Sequence, residues 1–104
     1  MAFERVLMLD ELWRGEMRGV RVGGKKVLLV RIDDTVHAYE DRCAHQGALL
    51  SEGSLQGGVL TCSLHHWQYD AATGLGVNPR SACLTRFAVE VDHGEIFVDV
   101  ARRG

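Results

Sequence analysis

The sequence lacks the features that mark several broad classes of protein. No apolar run approaches the roughly 20 residues that a membrane-spanning helix needs. Positive charge is not in excess, since 14 acidic residues outnumber 12 basic ones, and nothing favours binding to nucleic acid. The chain has no phosphate-binding loop, no flavin motif and no general-base constellation beside a substrate pocket. These absences exclude a membrane or nucleic-acid-binding protein and leave no sign of an enzyme.

Cysteine is scarce, with three residues in the chain. Cys43 and Cys62 belong to a metal-ligand pattern, which leaves Cys83 over, so we predict no internal disulfide and a reducing, cytoplasmic location. Residues 1–20 carry four acidic side chains among the apolar ones and do not resemble a secretion signal. We expect Cys83 to be a buried bystander rather than a spare ligand or a redox thiol.

Helical periodicity is also missing. Short segments that alternate between apolar and polar residues, separated by glycine and aspartate turns, predict eight or nine strands. They cover residues 3–9, 17–22, 26–32, 35–40, 58–61, 67–70, 84–92 and 95–100. The predicted fold is all-β, an antiparallel β sandwich that forms one domain over residues 1–104, with a small inserted lobe at about 41–80.

Four side chains in or beside these segments have simple structural interpretations. Trp13 lies in a helical turn at 10–13, where an aromatic residue usually closes the core. Tyr39 is an apolar member of the strand at 35–40, in which His37 is expected on the surface. His93 is expected in a turn.

Two short segments each pair a cysteine with a histidine. Cys43 precedes His45 by two positions, and after sixteen further residues Cys62 precedes His65 by three. Two thiolates and two imidazoles, offered from separated points, are the ligands that hold a [2Fe–2S] cluster when two cysteines bind one iron and two histidines the other. The spacing therefore predicts such a cluster.

A structural zinc site is the main alternative, because two cysteines and two histidines also suit tetrahedral zinc. Zinc modules usually pair cysteine with cysteine and histidine with histidine, whereas each segment here supplies one of each. The mixed pairing favours the two-iron cluster. His66 follows His65 directly, and in isolation either ring could reach a metal.

The pattern C-x-H-x(16)-C-x-x-H resembles the signature of Rieske-type ferredoxins. Residues 67–70, 73–74 and Pro79 resemble the strand, turn and proline loop that follow the second ligand pair in that family. The family spacing selects His65 over His66, which becomes an exposed neighbour or a proton-linked residue. The resemblance implies one Rieske-type [2Fe–2S] cluster, with the ligands Cys43, His45, Cys62 and His65.

A wider resemblance extends over nearly the whole chain. Residues 3–4, 9–13, 15–17, 45–46 and 49–54 look like the ferredoxin component of toluene monooxygenases. This implies a monomeric electron carrier, not an enzyme, that takes electrons singly from a flavin and iron–sulfur NADH oxidoreductase. The implied acceptor is a di-iron hydroxylase that acts on aromatic rings. A ferredoxin of a ring-hydroxylating dioxygenase, against which Gln46 and residues 49–54 argue, and a zinc-stabilised binding module remain the alternatives.

The resemblance also suggests what surrounds the cluster. Gln46, His66, Trp67, Tyr69 and Pro79 are the expected cluster environment or docking residues, with Trp67 at an interface or acting as a lid. High-potential relatives brace the two ligand loops with a disulfide, at positions that are alanine and leucine here, which implies a low potential. Tyr69 matches a tyrosine that hydrogen-bonds a ligand sulfur in those relatives, so contact with Cys43 would raise that potential somewhat.

Overall fold

The computed structural model describes residues 3–43, 48–64 and 66–103. His45, Gln46 and His65, predicted as two ligands and a neighbour, lie outside the described residues. The described chain contains two 3₁₀ turns, Leu9–Glu11 and Leu50–Glu52, and ten strands. These are β1 (Glu4–Met8), β2 (Met17–Val22), β3 (Lys25–Ile32), β4 (Thr35–Glu40), β5 (Ser54–Gln56), β6 (Val59–Thr61), β7 (Gln68–Asp70), β8 (Gly76–Asn78), β9 (Arg86–Asp92) and β10 (Glu95–Asp99). The predicted all-β, antiparallel class is confirmed.

Six strands form one antiparallel sheet, which we call the base sheet. Its order is β1-β10-β9-β4-β3-β2, so β4 and β9 are neighbours although the chain between them is long. Tight turns join its hairpins, and they need left-handed backbone. Gly23 and Gly24 have φ of 56° and 80°, while Asp33 and His93 adopt φ of 53° and 51°. The predicted turn position of His93 is confirmed.

Residues 41–85, which connect β4 to β9, are called the insert. The insert contains a second antiparallel sheet in the order β5-β6-β7-β8, and in the described residues the two sheets share no strand. Gly57 and Gly58, with φ of 57° and 77°, form the turn between β5 and β6. β5 and β8 were not predicted, because strands of three residues are too short to show an alternation.

β3 is buried on both faces. Leu28 and Val30 point toward the insert, while Val27 and Leu29 point into the base sheet's own core, and none of the four is exposed. The uninterrupted apolar run in the sequence reflects this position between two cores. Each fully buried aliphatic side chain stabilises the fold by about 1.5–3 kcal/mol. The insert therefore packs on a strand whose other face is held in the core of the base sheet.

The exposure of three residues differs from the prediction. Trp13 is 72% exposed, because the preceding Leu12 is fully buried and fills the core position of that turn. Cys83 is exposed and forms no disulfide, since the chain alternates there and Ala82 and Leu84 take the inward positions. His37 is half-buried beneath the insert rather than on the open surface.

The described part of the chain includes no helix with the length and hydropathy of a membrane span.

Candidate metal centre

Two short loops of the insert bring the candidate cysteines together. Cys43 comes three residues after β4 and Cys62 directly follows β6, and each is only 1% exposed in the core between the two sheets. Backbone hydrogen bonds close both loops, from the Cys43 N–H to the Ala48 carbonyl at 2.7 Å and from the Cys62 N–H to the Trp67 carbonyl at 2.8 Å. The sequence positions of His45 and His65 fall inside these loops, outside the described residues.

The electrostatics of the two thiols favour a bound cation. Burial raises the pKa of Cys62, and the neighbouring Cys43 raises it further, while a hydrogen bond from the Leu64 backbone N–H acts in the opposite direction. Two adjacent buried thiolates repel each other and lack the solvation of water, so both ionise only when positive charge lies beside them. A metal supplies that charge. The cysteine pair therefore fits the thiolate half of an iron–sulfur site.

Tyr69 contacts the first cysteine from β7. Its hydroxyl oxygen lies 3.3 Å from the Cys43 sulfur, and the Tyr69 side chain is fully buried. The contact with Cys43 on which the expected rise in potential depends is present in the structure. A metal-bound thiolate has no proton, so the hydroxyl would be the donor of this hydrogen bond.

Three further predicted site residues lie near the same end of the insert sheet. Trp67 is partly buried and packs against the core that holds the cysteines. His66 is exposed and has φ of 58°. Pro79 follows β8 through a cis peptide bond, and Asn78 pairs with Gln68, the residue after Trp67. The roles of these residues at the site stay predictions.

Two polar contacts beneath the site were not predicted from the sequence. The hydroxyl of Tyr39 donates to the Ala71 carbonyl at 2.6 Å, and both residues are fully buried. The buried carboxylate of Asp41 accepts hydrogen bonds from the backbone N–H and the hydroxyl of Ser51, at 2.8 and 2.7 Å. The signal for the first was weak, since a tyrosine in an apolar alternation is indistinguishable from any other core aromatic.

Comparison with known proteins places this geometry among iron–sulfur proteins. A family model described as "Rieske [2Fe-2S] domain" matches residues 3–88, a range that contains both loops and the insert sheet. The "Alkene monooxygenase system, ferredoxin component" of Xanthobacter autotrophicus is 42% identical over 94 residues, covering 89% of this chain and 77% of that protein. "Ferredoxin CarAc" of Metapseudomonas resinovorans is 36% identical and is covered to 90%, as is this chain.

Solved structures agree with the sequence relatives. A chain in a "Complex of reduced oxygenase and oxidized ferredoxin in carbazole 1,9a-dioxygenase" superposes with a TM-score of 0.86 at 34% identity, over 98% of this chain and 95% of that one. The ferredoxin of carbazole 1,9a-dioxygenase from Nocardioides aromaticivorans IC177 gives a TM-score of 0.85 at 32% identity, with coverage of 94% and 97%. Both comparisons span the base sheet as well as the insert.

Proposed function

The chain belongs to the Rieske [2Fe–2S] domain family, and we propose that it is the ferredoxin of a multicomponent monooxygenase that acts on aromatic rings. It carries one Rieske-type [2Fe–2S] cluster and is an electron carrier of an oxygenase system rather than a catalytic enzyme. The observation that carries the cluster, and with it the role in electron transfer, is the pair of adjacent buried cysteines, Cys43 and Cys62, on two loops that are each closed by a backbone hydrogen bond.

The cluster is held by four residues in this proposal. Cys43 and Cys62 bind one iron as thiolates, and His45 and His65 bind the other as neutral rings. The bound cluster supplies reversible one-electron transfer, at about −150 to +300 mV in Rieske centres generally. The burial of both sulfurs and the family match support the cysteine half, and the spacing of the sequence supports the histidine half.

The rest of the site adjusts that chemistry. The core between the two sheets excludes water from the sulfurs, and the Leu64 N–H donates to Cys62. Ala48 and Leu64 occupy the positions of the bracing disulfide found in high-potential relatives, so we place the centre at the low end of the Rieske range. The Tyr69 hydroxyl stabilises negative charge on Cys43 and raises the potential within that range.

A monooxygenase acceptor is the finer part of the proposal. The alkene monooxygenase ferredoxin is 42% identical to this chain, against 36% for the CarAc ferredoxin and 27% for a naphthalene dioxygenase ferredoxin. We infer a flavin and iron–sulfur NADH oxidoreductase as donor and a di-iron hydroxylase as acceptor, with the protein working as a cytoplasmic monomer. The exposed thiol of Cys83, which forms no disulfide, is consistent with a reducing compartment.

A dioxygenase acceptor is the second candidate. The structural relative with a TM-score of 0.86 is a chain in a complex of reduced oxygenase and oxidized ferredoxin in carbazole 1,9a-dioxygenase. Reconstitution separates the two. The reduced protein should support turnover by a di-iron hydroxylase at least tenfold faster than turnover by a ring-hydroxylating dioxygenase at equal concentration. The reverse order would assign it to a dioxygenase.

Electron paramagnetic resonance of the dithionite-reduced protein tests the cluster itself. We expect a rhombic signal with the low average g value of a histidine-ligated [2Fe–2S] centre, accompanied by two irons and two sulfides per chain. Cys62→Ala should abolish the signal, and the matched control Cys83→Ala should retain it. His65→Ala should abolish it and His66→Ala should not. A silent, colourless protein that contains zinc would instead identify a metal-stabilised binding module.

A further inference from the structure

Two tyrosines connect the end of β4 with β7, and each segment provides one of the two tyrosines. The hydroxyl of Tyr39, at the end of β4, donates to the carbonyl of Ala71, just after β7. The hydroxyl of Tyr69, on β7, lies 3.3 Å from the sulfur of Cys43, just after β4. We call this reciprocal pair of contacts, between residues 39–43 and 69–71, the tyrosine clasp.

The clasp bridges two sheets that no strand pairing joins in the described residues. The orientation of β7 over β4 therefore depends on side-chain contacts between the two sheets and on backbone contacts outside the paired strands. The turn after β7 is fitted closely to the Tyr39 ring, since a Cβ at Gly74 would approach its Cε1 atom to 2.8 Å. Gly74 also has φ of 80°, a conformation that glycine adopts without strain. The ring and the turn hold each other in place.

The Tyr39 hydroxyl is a permanent donor in this position. Burial raises its pKa to about 12, while Arg86 lowers the pKa by a smaller amount and Asp70 raises it, so the group stays protonated at any ordinary pH. His37 stacks beside the ring at a centroid separation of 6.4 Å. Ala71 is fully buried, so its carbonyl has no access to bulk water as an alternative partner.

We propose that Tyr39 is a positioning residue, which fixes β7 so that the Tyr69 hydroxyl reaches the Cys43 sulfur and thereby sets the reduction potential of the cluster. The inference rests on the proposed function, because it takes Cys43 as a cluster ligand. Ala71 is only two residues beyond Tyr69, so the anchored carbonyl and the hydroxyl belong to one short rigid piece. Reduction adds negative charge to the cluster, and a donor held at the sulfur stabilises that charge.

Midpoint potentials of four cluster-loaded proteins test this role. They are the wild type, Tyr39→Phe, Tyr69→Phe and the double variant. We expect both single variants to have lower potentials, with the smaller shift for Tyr39→Phe, and we expect the double variant to match Tyr69→Phe. Such non-additivity is the mark of one residue acting through another. An unchanged potential in Tyr39→Phe, or shifts that add in the double variant, would overturn the proposal.

Ser51→Ala is the matched control for general loosening of the insert. It removes the hydroxyl hydrogen bond to Asp41, the residue that directly follows β4, and this bond does not involve β7. We expect a lower thermal midpoint with an unchanged potential. A shift in potential equal to that of Tyr39→Phe would show that any loosening changes the cluster, and the special role of Tyr39 would be lost.

A milder substitution covers the case in which Tyr39→Phe does not accumulate. Replacing Tyr39 by 3-fluorotyrosine keeps the ring and the hydroxyl but makes the donor more acidic. It should shift the potential in the wild-type background and leave it unchanged in the Tyr69→Phe background. No shift in either would contradict the inference. A wild-type protein without a Rieske signal would overturn the proposed function and this role with it, whereas a normal signal with additive shifts would overturn this role alone.

Discussion

Among single side chains, Tyr69 has the most direct influence on the proposed centre, because its hydroxyl lies 3.3 Å from the Cys43 sulfur. We expect Tyr69→Phe to keep the cluster and to lower its potential. A hydrogen bond contributes about 0.5–1.5 kcal/mol net, which corresponds to about 20–60 mV for one electron, at 59 mV per tenfold. Film voltammetry measures the change. A potential equal to or above that of the wild type would show that the hydroxyl does not donate to the sulfur.

His37 makes the stability of the fold depend on pH. Burial lowers its pKa from the ordinary 6.5, Arg86 lowers it further, and Asp70 opposes both. The unfolded chain therefore binds a proton more readily than the folded one, so the stability that neutral His37 contributes is fully present above pH 6.5 and is lost as the pH falls through the lowered pKa. Denaturant midpoints of wild type and His37→Gln should converge or cross below pH 6.5.

The control for this prediction is His93→Gln, which removes a histidine from an exposed turn. If the wild-type and His37→Gln midpoints stay parallel from pH 8 to pH 5.5, burial of His37 has no energetic cost and the prediction is wrong. Changes that come from the cluster ligands are common to all three proteins and cancel in the comparison.

At the level of strands and turns, close approach of backbone segments shapes the site more than turn conformation does. Gly53 has an ordinary φ of −89°, but a Cβ there would collide with the Thr61 carbonyl, next to Cys62. A Cβ at Gly57 meets nothing within 4 Å, although φ is 57°. The two glycines are needed for different physical reasons.

Alanine substitutions should separate these reasons. Gly57→Ala should lower the free energy of unfolding by about 1–2 kcal/mol, because it only places an alanine in left-handed backbone. It should keep a full complement of cluster. Gly53→Ala must displace the strand that delivers Cys62, so we expect a larger loss of stability and incomplete cluster loading. Denaturation curves and the iron content of the purified proteins check both. Equal losses would mean that the Thr61 carbonyl yields easily.

The sequence predicted most accurately the strands that end at charged or glycine-containing turns. The bounds of β2 and β4 agree with the prediction because charged or glycine turns flank both strands. β5 and β8 were out of reach, since they exist only as partners of β6 and β7 in a sheet of three-residue strands. The exposure of single side chains also could not be predicted from their neighbours in the sequence. Whether Leu12 or Trp13 fills a core position depends on the packing of the whole turn.

The candidate site divides in the same way. Spacing alone pointed to Cys43 and Cys62, and the structure brings them together in one core. The contact of Tyr69 followed from a family resemblance. No sequence pattern marked Tyr39, because its hydroxyl finds a carbonyl 32 residues away, on a segment brought near only by folding.

At the level of the whole molecule, charge is distributed unevenly. Only Glu52, Asp70 and Arg80 carry a formal charge among residues 43–85. The two ends of the base sheet differ in sign. Acidic residues dominate the turns at one end, namely Asp10, Glu11, Asp33, Asp34, Asp92 and Glu95. Basic residues dominate the end from which the insert leaves, namely Lys25, Lys26, Arg42, Arg102 and Arg103.

This distribution predicts how salt affects electron transfer. If residues 43–85, which carry only three formal charges, form the contact with the acceptor, few ion pairs are screened when ionic strength rises. The second-order rate constant of electron transfer to the hydroxylase should change less than about threefold between 20 and 500 mM salt, values chosen to span Debye lengths of roughly 20 to 4 Å. Stopped-flow oxidation of the reduced protein measures it. A tenfold or larger decrease would place charged residues of the base sheet in the contact.

The opposite signs at the two ends of the base sheet give the molecule an electric dipole along its strands. On a negatively charged electrode it should settle with Lys25, Lys26 and Arg42 against the surface, close to the point where Cys43 follows β4. On a positively charged electrode the protein should bind through the acidic turns, and the end from which the insert leaves the base sheet should face away from the surface. The sign of the electrode charge therefore selects which end of the protein faces the electrode. Electron exchange between the cluster and the electrode should be faster on the negatively charged electrode.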